Sequence, residues 1–317
     1  MNSEFQFIQH IKEKYSLRKV GDDCAVFPKD EQFDNLITAD MLIEDIDFRL
    51  SFADPRSIGH KSLAVSLSDI AAMGGTPKYA MLSIGIPEKL WSGSFLDEFY
   101  IGWHKLARKF DVELVGGDIS RSPDKVVIDS VVIGEVPKDK AVLRSGAKAG
   151  DAIFVSGTLG AAAAGLKILE SGNTQDLSEN AKGLIDQQLR PQPQVVLAKH
   201  LYYLGLVTSM IDLSDGISCD LAHICSSSGV GAKIEIENLP IHPGLDEYFE
   251  SEDSILQYAL HGGEDFELLF TVSEDSASSL SELAVTRIGT ATINAGRIEI
   301  TKSGNTTLLE PEGFRHF

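Results

Sequence analysis

Gly59-His-Lys-Ser-Leu-Ala-Val-Ser-Leu-Ser-Asp-Ile-Ala-Ala-Met-Gly74 is the stretch whose reading decides the fold. It is apolar or small almost throughout, and Asp69 is the only charged residue between Lys61 and Lys78. Upstream, Asp54-Pro55 supplies an N-cap followed by proline at the first helical position. Gly74-Gly75 stops the helix downstream, so the pattern predicts a helix from Pro55 to about Met73. An ionised carboxylate inside such a helix is costly unless it is paired or bound to a metal. Asp69 therefore asks for a partner.

Outward from this helix, strand and helix patterns alternate. Asn35 to Ile43 and Lys78 to Ile86 read as strands, and Phe95 to Phe110 reads as a helix with Phe95, Phe99, Trp103 and Leu106 near helical spacing. Val112 to Val115 and Val126 to Val136 read as further strands. Met1 to Ser16 reads as an amphipathic helix without a signal-peptide core. The charged, glycine-containing stretch Pro137 to Gly150 marks a domain boundary, giving domains over 1–137 and 138–317. Beyond it come strands at Ala152 to Val155, Thr208 to Ile211 and Glu267 to Thr271, with helices at Ala181 to Leu189, Val195 to Leu204 and about Ile217 to Ser227. The order is not strictly βαβ, so the expected class is α+β in two domains, which suits 317 residues at about 150 per domain.

The chain carries 47 acidic and 28 basic residues, a net charge of −19. That balance argues against non-specific nucleic-acid binding and against docking on anionic membranes. The three cysteines, Cys24, Cys219 and Cys225, form no CxxC pair, so a reduced cytoplasmic protein is expected. No window approaches the ~18 uncharged apolar residues of a membrane span. The sequence contains no HExxH, no GxSxG, no GxxxxGK[ST] and no HRD/DFG pair.

The informative carboxylates follow glycines or end apolar runs: Asp22 and Asp23 after Gly21, Asp40 after Leu36-Ile-Thr-Ala39, and Asp69 in its helix. Asp118 is read as ending a strand after Gly116-Gly117, Asp212 and Asp215 as ending another, and Glu264 and Asp265 follow Gly262-Gly263. Singly, such residues are N-caps or turns. Six segments of this kind, with few basic residues nearby in sequence, point to a multi-metal phosphate site in one cleft. Ser156 to Gly165 is a Gly/Ala-rich turn for which close helix packing is favoured slightly over a phosphate cradle. Arg144 is a loop guanidinium that could reach a phosphate.

Taken in order, several segments resemble the thiamine-monophosphate kinases, a family in the superfamily of aminoimidazole ribonucleotide synthetase. They are Gly21-Asp-Asp-Cys-Ala25, Thr38-Ala-Asp40, the Gly59–Gly74 helix, Gly116-Gly-Asp118 and Leu143-Arg-Ser-Gly-Ala147. They continue with Val155-Ser-Gly-Thr-Leu-Gly160, Ile211-Asp-Leu-Ser-Asp-Gly216, Gly262-Gly-Glu-Asp-Phe-Glu-Leu-Leu-Phe270 and the ending Gly313-Phe-Arg-His-Phe317. The resemblance spans nearly the whole chain. It implies a two-domain aminoimidazole ribonucleotide synthetase-like fold, a homodimer whose N-terminal strands pair across two chains, and several Mg²⁺ ions. It also implies direct in-line transfer of the ATP γ-phosphoryl group to thiamine monophosphate, with no side-chain base.

By the same resemblance the metal ligands would be Asp23, Thr38, Ala39, Asp40, Asp69, Asp118, Asp212 and Asp215. The nucleotide contacts would be Tyr100, Gly117, Arg144 and Ser214, and the thiamine-phosphate contacts Asp47, Glu264 and Phe314. Two positions depart from the family pattern: Asp47 stands where histidine is frequent, and Ala161 where aspartate is common. The alternative is another ATP-using superfamily member, an aminoimidazole ribonucleotide or selenophosphate synthetase. The second usually carries a reactive Cys or Sec and a Lys near its N-terminus, a glycine-flanked pair absent here. A non-enzymatic metal- or nucleotide-binding module is a third reading.

Overall fold

The structure, a computed structural model, describes residues 4–172, 176–249 and 251–313. Described residues within Cys24–Ala141 and Leu189–Lys199 form one unit, called here the first. Those within Met1–Asp23, Val142–Gln188 and His200–Phe317 form the second.

The chain opens on α1 (Glu4–Tyr15). The first unit then runs β1 (Ala25–Pro28), β2 (Phe33–Ile43), α2 (Pro55–Ala72), β3 (Thr76–Pro87), α3 (Glu88–Trp91), α4 (Phe95–Phe110), β4 (Glu113–Ser122) and β5 (Val127–Pro137). Its five strands make one sheet in the order β1-β2-β5-β3-β4, antiparallel except for the parallel β3–β4 pair. Along β5 the alternation is complete: Ile128, Ser130, Val132, Gly134 and Val136 are buried, and the residues between them less so. The period of two sends one row of side chains beneath α2.

Asp54 caps α2 as its sequence position requires, accepting from Ser57 N at 3.0 Å and from Ser57 Oγ at 2.7 Å, with Pro55 at the first turn. Helix α2 packs on β2, β3 and β5 and also against α4, so nearly every residue of it is buried. Glycine makes the helix pair possible: a Cβ on Gly59 would lie 2.0 Å from Phe99 O, and one on Gly102 1.9 Å from Arg56 O. The two backbones touch where side chains would otherwise hold them apart.

Beyond residue 141 the elements are β6 (Ala152–Ser156), α5 (Ala161–Ser171), α6 (Glu179–Leu189), α7 (Val195–Leu204), β7 (Val207–Asp212), α8 (Ile217–Ser228) and β8 (Gly231–Glu235). They continue with α9 (Leu245–Tyr248), α10 (Glu252–His261), β9 (Leu268–Val272), β10 (Val285–Thr292), β11 (Ile298–Lys302) and β12 (Asn305–Leu308). The second unit's seven strands order as β12-β11-β8-β10-β6-β9-β7. Every residue of β6 and β9 is buried, as befits inner strands. Ile153, Val155, Ile211, Leu221, Ile224, Leu256, Leu260 and Leu269 belong to one core cluster joining the sheet to α8 and α10.

One sequence expectation is resolved differently by the fold, and the packing reading of the turn before α5 is met. Asp118 does not end a strand: β4 continues through Gly116, Gly117 and Asp118 to Ser122, pairing Leu82 with Gly117 and Ser83 with Asp118. Gly117 allows the strand to continue, because it sits at φ +149° and a Cβ there would lie 1.9 Å from Leu82 O. The Gly/Ala-rich turn before α5 serves packing. Gly165 lies against α6, where a Cβ would be 2.1 Å from Leu184 O, and the helix start is already capped by a protein carboxylate.

Candidate active site

In the second unit, strand β7 delivers Asp212 at its last residue, and the turn Ser214-Asp215-Gly216 leads into α8. A second segment, Gly262 to Glu267, runs beside this turn. Glu264 N donates to Ser214 O at 2.8 Å, Phe266 N to Leu213 O at 2.9 Å, and Leu213 N to Glu267 O at 2.8 Å. Glycine is needed for that approach: a Cβ on Gly216 would lie 2.8 Å from Gly262 O, and one on Gly263 2.5 Å from Ser214 O. Two motifs 47 residues apart in sequence, counted from Asp215 to Gly262, become one strip of backbone.

Several carboxylates gather around this strip. Oxygens of Asp23 and Asp212 lie within 4.8 Å of each other, as do ligand atoms of Asp215, Asp220 and His223. Arg144 grips one oxygen of Asp23, Oδ1, with Nη2 at 2.5 Å and Nε at 3.2 Å, while its backbone N–H donates to Asp22 Oδ1 at 2.9 Å. Burial pushes the Asp23 carboxyl up, and Arg144 pulls it back down. Asp220 is buried, and its Oδ2 accepts from the backbone N–H of Asp215 at 3.2 Å and of Gly216 at 3.0 Å. Burial, and then the charges of Asp215 and Asp212, push its carboxyl well above the usual range. Burial, and then Arg144, hold the His223 imidazole neutral with a pKa of about 4.

Asp220 and His223 stand in this cluster, and motif reading missed them. Their signal was present: an aspartate in the first turn of a helix, one turn before a histidine, is placed to accept backbone N–H groups. Asp265 is the carboxylate at the start of α5, with Oδ2 accepting from Gly160 N at 2.6 Å and Oδ1 from Ala162 N at 3.0 Å. Burial raises it to about 7 against the pull of those donors.

The first unit carries its own oxygen set. Thr38 Oγ1 donates to Asp69 Oδ2, which gives the lone carboxylate of α2 its partner. Asp40 Oδ2 accepts from Ser66 Oγ at 2.7 Å, one turn earlier on the same helix. Thr38 and Asp40 share a face of β2 by the period of two, so the Ala39 side chain points the other way and only its carbonyl could serve as a ligand. Asp118 and Gly117 are exposed on β4.

Tyr100 is half-buried on α4, edge-on to Phe99 with ring centroids 5.6 Å apart, and burial raises its hydroxyl pKa. Asp47 Oδ2 accepts from Ile43 N at 2.7 Å, and its carbonyl from Lys61 Nζ at 3.1 Å. Its carboxylate thus closes the turn that ends β2. Phe314 lies outside the described residues.

These donors fit a hard divalent cation. They are carboxylate and hydroxyl oxygens, the preferred ligands of Mg²⁺. Asp23 Oδ2 is buried with no hydrogen-bond partner among the described residues, an acceptor that a cation would satisfy.

The family model described as AIR synthase related protein, N-terminal domain, matches residues 21–136, and its C-terminal counterpart matches residues 148–298. A thiamine-monophosphate kinase of Bacillus subtilis (strain 168) is 37% identical over 306 residues, covering 94% of this chain and 93% of the relative. The chain belongs to the thiamine-monophosphate kinase family of AIR synthase related proteins. A thiamine-monophosphate kinase of Escherichia coli (strain K12) is 38% identical, covering 94% and 91% of the two chains. Among solved structures, AaThiL complexed with AMPPCP and TMP superposes with a TM-score of 0.89 at 34% identity, covering 99% of this chain and 97% of that one. The two-domain α+β fold expected of the family is the one observed.

Proposed function

We propose that the chain is an ATP-dependent kinase that phosphorylates thiamine monophosphate to thiamine diphosphate, releasing ADP. The observation that carries this reading is the near full-length likeness to AaThiL, a relative complexed with AMPPCP, an ATP analogue, and with TMP. Curated relatives at 37% and 38% identity carry the thiamine-monophosphate kinase name.

The chemistry of the residues supports transfer by positioning and charge neutralisation. The acceptor is already an anionic phosphate oxygen, so in-line transfer needs no side-chain base. Mg²⁺, when bound, would offset the charge of the clustered phosphates. Asp23, Asp212 and Asp215 would hold it in the second unit. In the first unit Thr38, Asp40, Asp69, Asp118 and the carbonyl of Ala39 would do so. Arg144, now on Asp23, has the planar fork that suits a phosphate. Ser214, Gly117 and Tyr100 would contact nucleotide. Glu264, Asp47 and Phe314 would contact the thiamine phosphate, with Asp47 in the weaker position because its carboxylate already closes a turn.

Functionally, residues 1–137 would form the metal, nucleotide and dimerisation half, and residues 138–317 the other half. Pairing of N-terminal strands in a homodimer is supported by the exposed edge strand β4, with Leu114, Val115 and Ile119 open to solvent. A cytoplasmic location is supported by three free cysteines, and no described helix is long and apolar enough to cross a membrane. The direct test is coupled ADP release from ATP and Mg²⁺ with and without thiamine monophosphate. Release that depends on the thiamine compound is expected. Equal release without it, or none with it, overturns the proposal.

A further inference from the structure

Glu264 has a buried neighbour to which the reading above gives no task. Gln188, near the end of α6, is 4% exposed, and its Nε2 donates to Glu264 Oε2 at 2.7 Å. The carboxylate only accepts, so the amide must present its NH₂ to Glu264 and turn its oxygen elsewhere. That oxygen, Oε1, is sealed from solvent and has no hydrogen-bond partner among the described residues. A buried acceptor left without a donor is destabilising, and native proteins keep such atoms where a ligand or water completes them.

The surroundings hold this pair firmly. Gln187 Nε2 donates to Asp265 O at 3.0 Å, so α6 grips the 264–265 segment at two successive residues. Glu264 sits at φ +68°, a left-handed conformation uncommon for glutamate, and its N–H is fixed on Ser214 O. A strained residue with two tethers is a positioned one.

An amide oxygen beside a carboxylate calls for a donor. In thiamine monophosphate the phosphate offers chiefly acceptors, and the thiazolium nitrogen bears no hydrogen. The molecule's N–H donors are the two of the amine on its pyrimidine ring. We propose that Gln188 and Glu264 together receive that exocyclic amine, which makes Gln188 a specificity-determining residue for the aminopyrimidine end of the substrate. The inference rests on the thiamine monophosphate reading above.

The test compares thiamine monophosphate with oxythiamine monophosphate, in which an oxo group replaces the amine and would face the two acceptors. The full chain is used as wild type and as Gln188→Met, which keeps the size but removes both amide functions. For the wild type, KM for the oxo analogue is expected to be at least about tenfold higher, since a site built to bond the exocyclic N–H rejects an analogue that puts an acceptor in its place. In Gln188→Met, KM for thiamine monophosphate should rise by about tenfold or more and the ratio should fall to about three or less, with KM for ATP unchanged. A wild type that does not discriminate overturns the inference, and that measurement stands even if the variant fails to fold. A variant that loses both substrates equally also overturns it, because a purely structural role acts that way. Failure to phosphorylate either compound defeats the kinase reading itself, a separate outcome.

Discussion

Asp212 and Asp69 show what one carboxylate can carry. Asp212 lies close to Asp23 and raises the neighbouring Asp220, so it belongs to a like-charged group whose members disfavour one another's ionisation. Asp69 is satisfied by Thr38. Replacing either with asparagine keeps the shape and removes a charge. Asp212→Asn or Asp69→Asn should reduce kcat by at least about 100-fold, while the urea midpoint stays within about 1 kcal/mol of wild type. Full activity in either variant would remove the metal-site argument. Cys225 behaves oppositely: burial holds its thiol protonated, with a pKa pushed up to about 12. Native protein at pH 8 should therefore leave Cys225 unalkylated by iodoacetamide, as peptide mapping would show, while unfolding in urea exposes it. The sign for stability follows. Above the unfolded thiol's pKa only the unfolded chain ionises, so Cys225 destabilises the fold progressively as pH rises from about 9 to 12.

Among the elements, the α2–α4 pair depends on two glycines at the point of closest approach. Gly102→Ala would place a methyl group 1.9 Å from the Arg56 carbonyl oxygen, which forces the helices apart. The expected cost is about 1–3 kcal/mol, read from denaturation midpoints. Retained stability would mean that the helices separate without loss. This contact was not legible in the sequence, where Gly59 and Gly102 looked like any helical glycines. The helix itself was legible, because Asp54-Pro55 and Gly74-Gly75 are local signals. Strand β4 was misread for the same reason: Gly116-Gly117 looks like a stop, and only pairing with β3 shows that the strand continues through it.

At the scale of the whole molecule, the −19 charge divides in two. Part of it is a solvated surface. The rest is built into the fold: Asp23, Asp212, Asp220 and Asp265 are all buried. Strand β4 leaves Val115, Ile119 and Leu114 exposed along an unpaired edge, which a second copy would cover. Sedimentation should give twice the 34.4 kDa chain mass. Ile119→Lys should shift the protein toward monomer, and a wild-type monomer would contradict the homodimer.

By itself the sequence determined much of the element order and the two-domain α+β class, because caps, glycine pairs and hydrophobic periods act over a few residues, and its motifs, taken in order, carried the resemblance to the family. It also marked which acids stand in apolar surroundings, since that is a matter of neighbours in the chain. Only the tertiary structure decided their partners: Thr38 for Asp69, Arg144 for Asp23 and the α5 N-terminus for Asp265. Those pairings join residues between 31 and 121 positions apart. They depend on where backbones meet in space, and periodicity along the chain does not encode that.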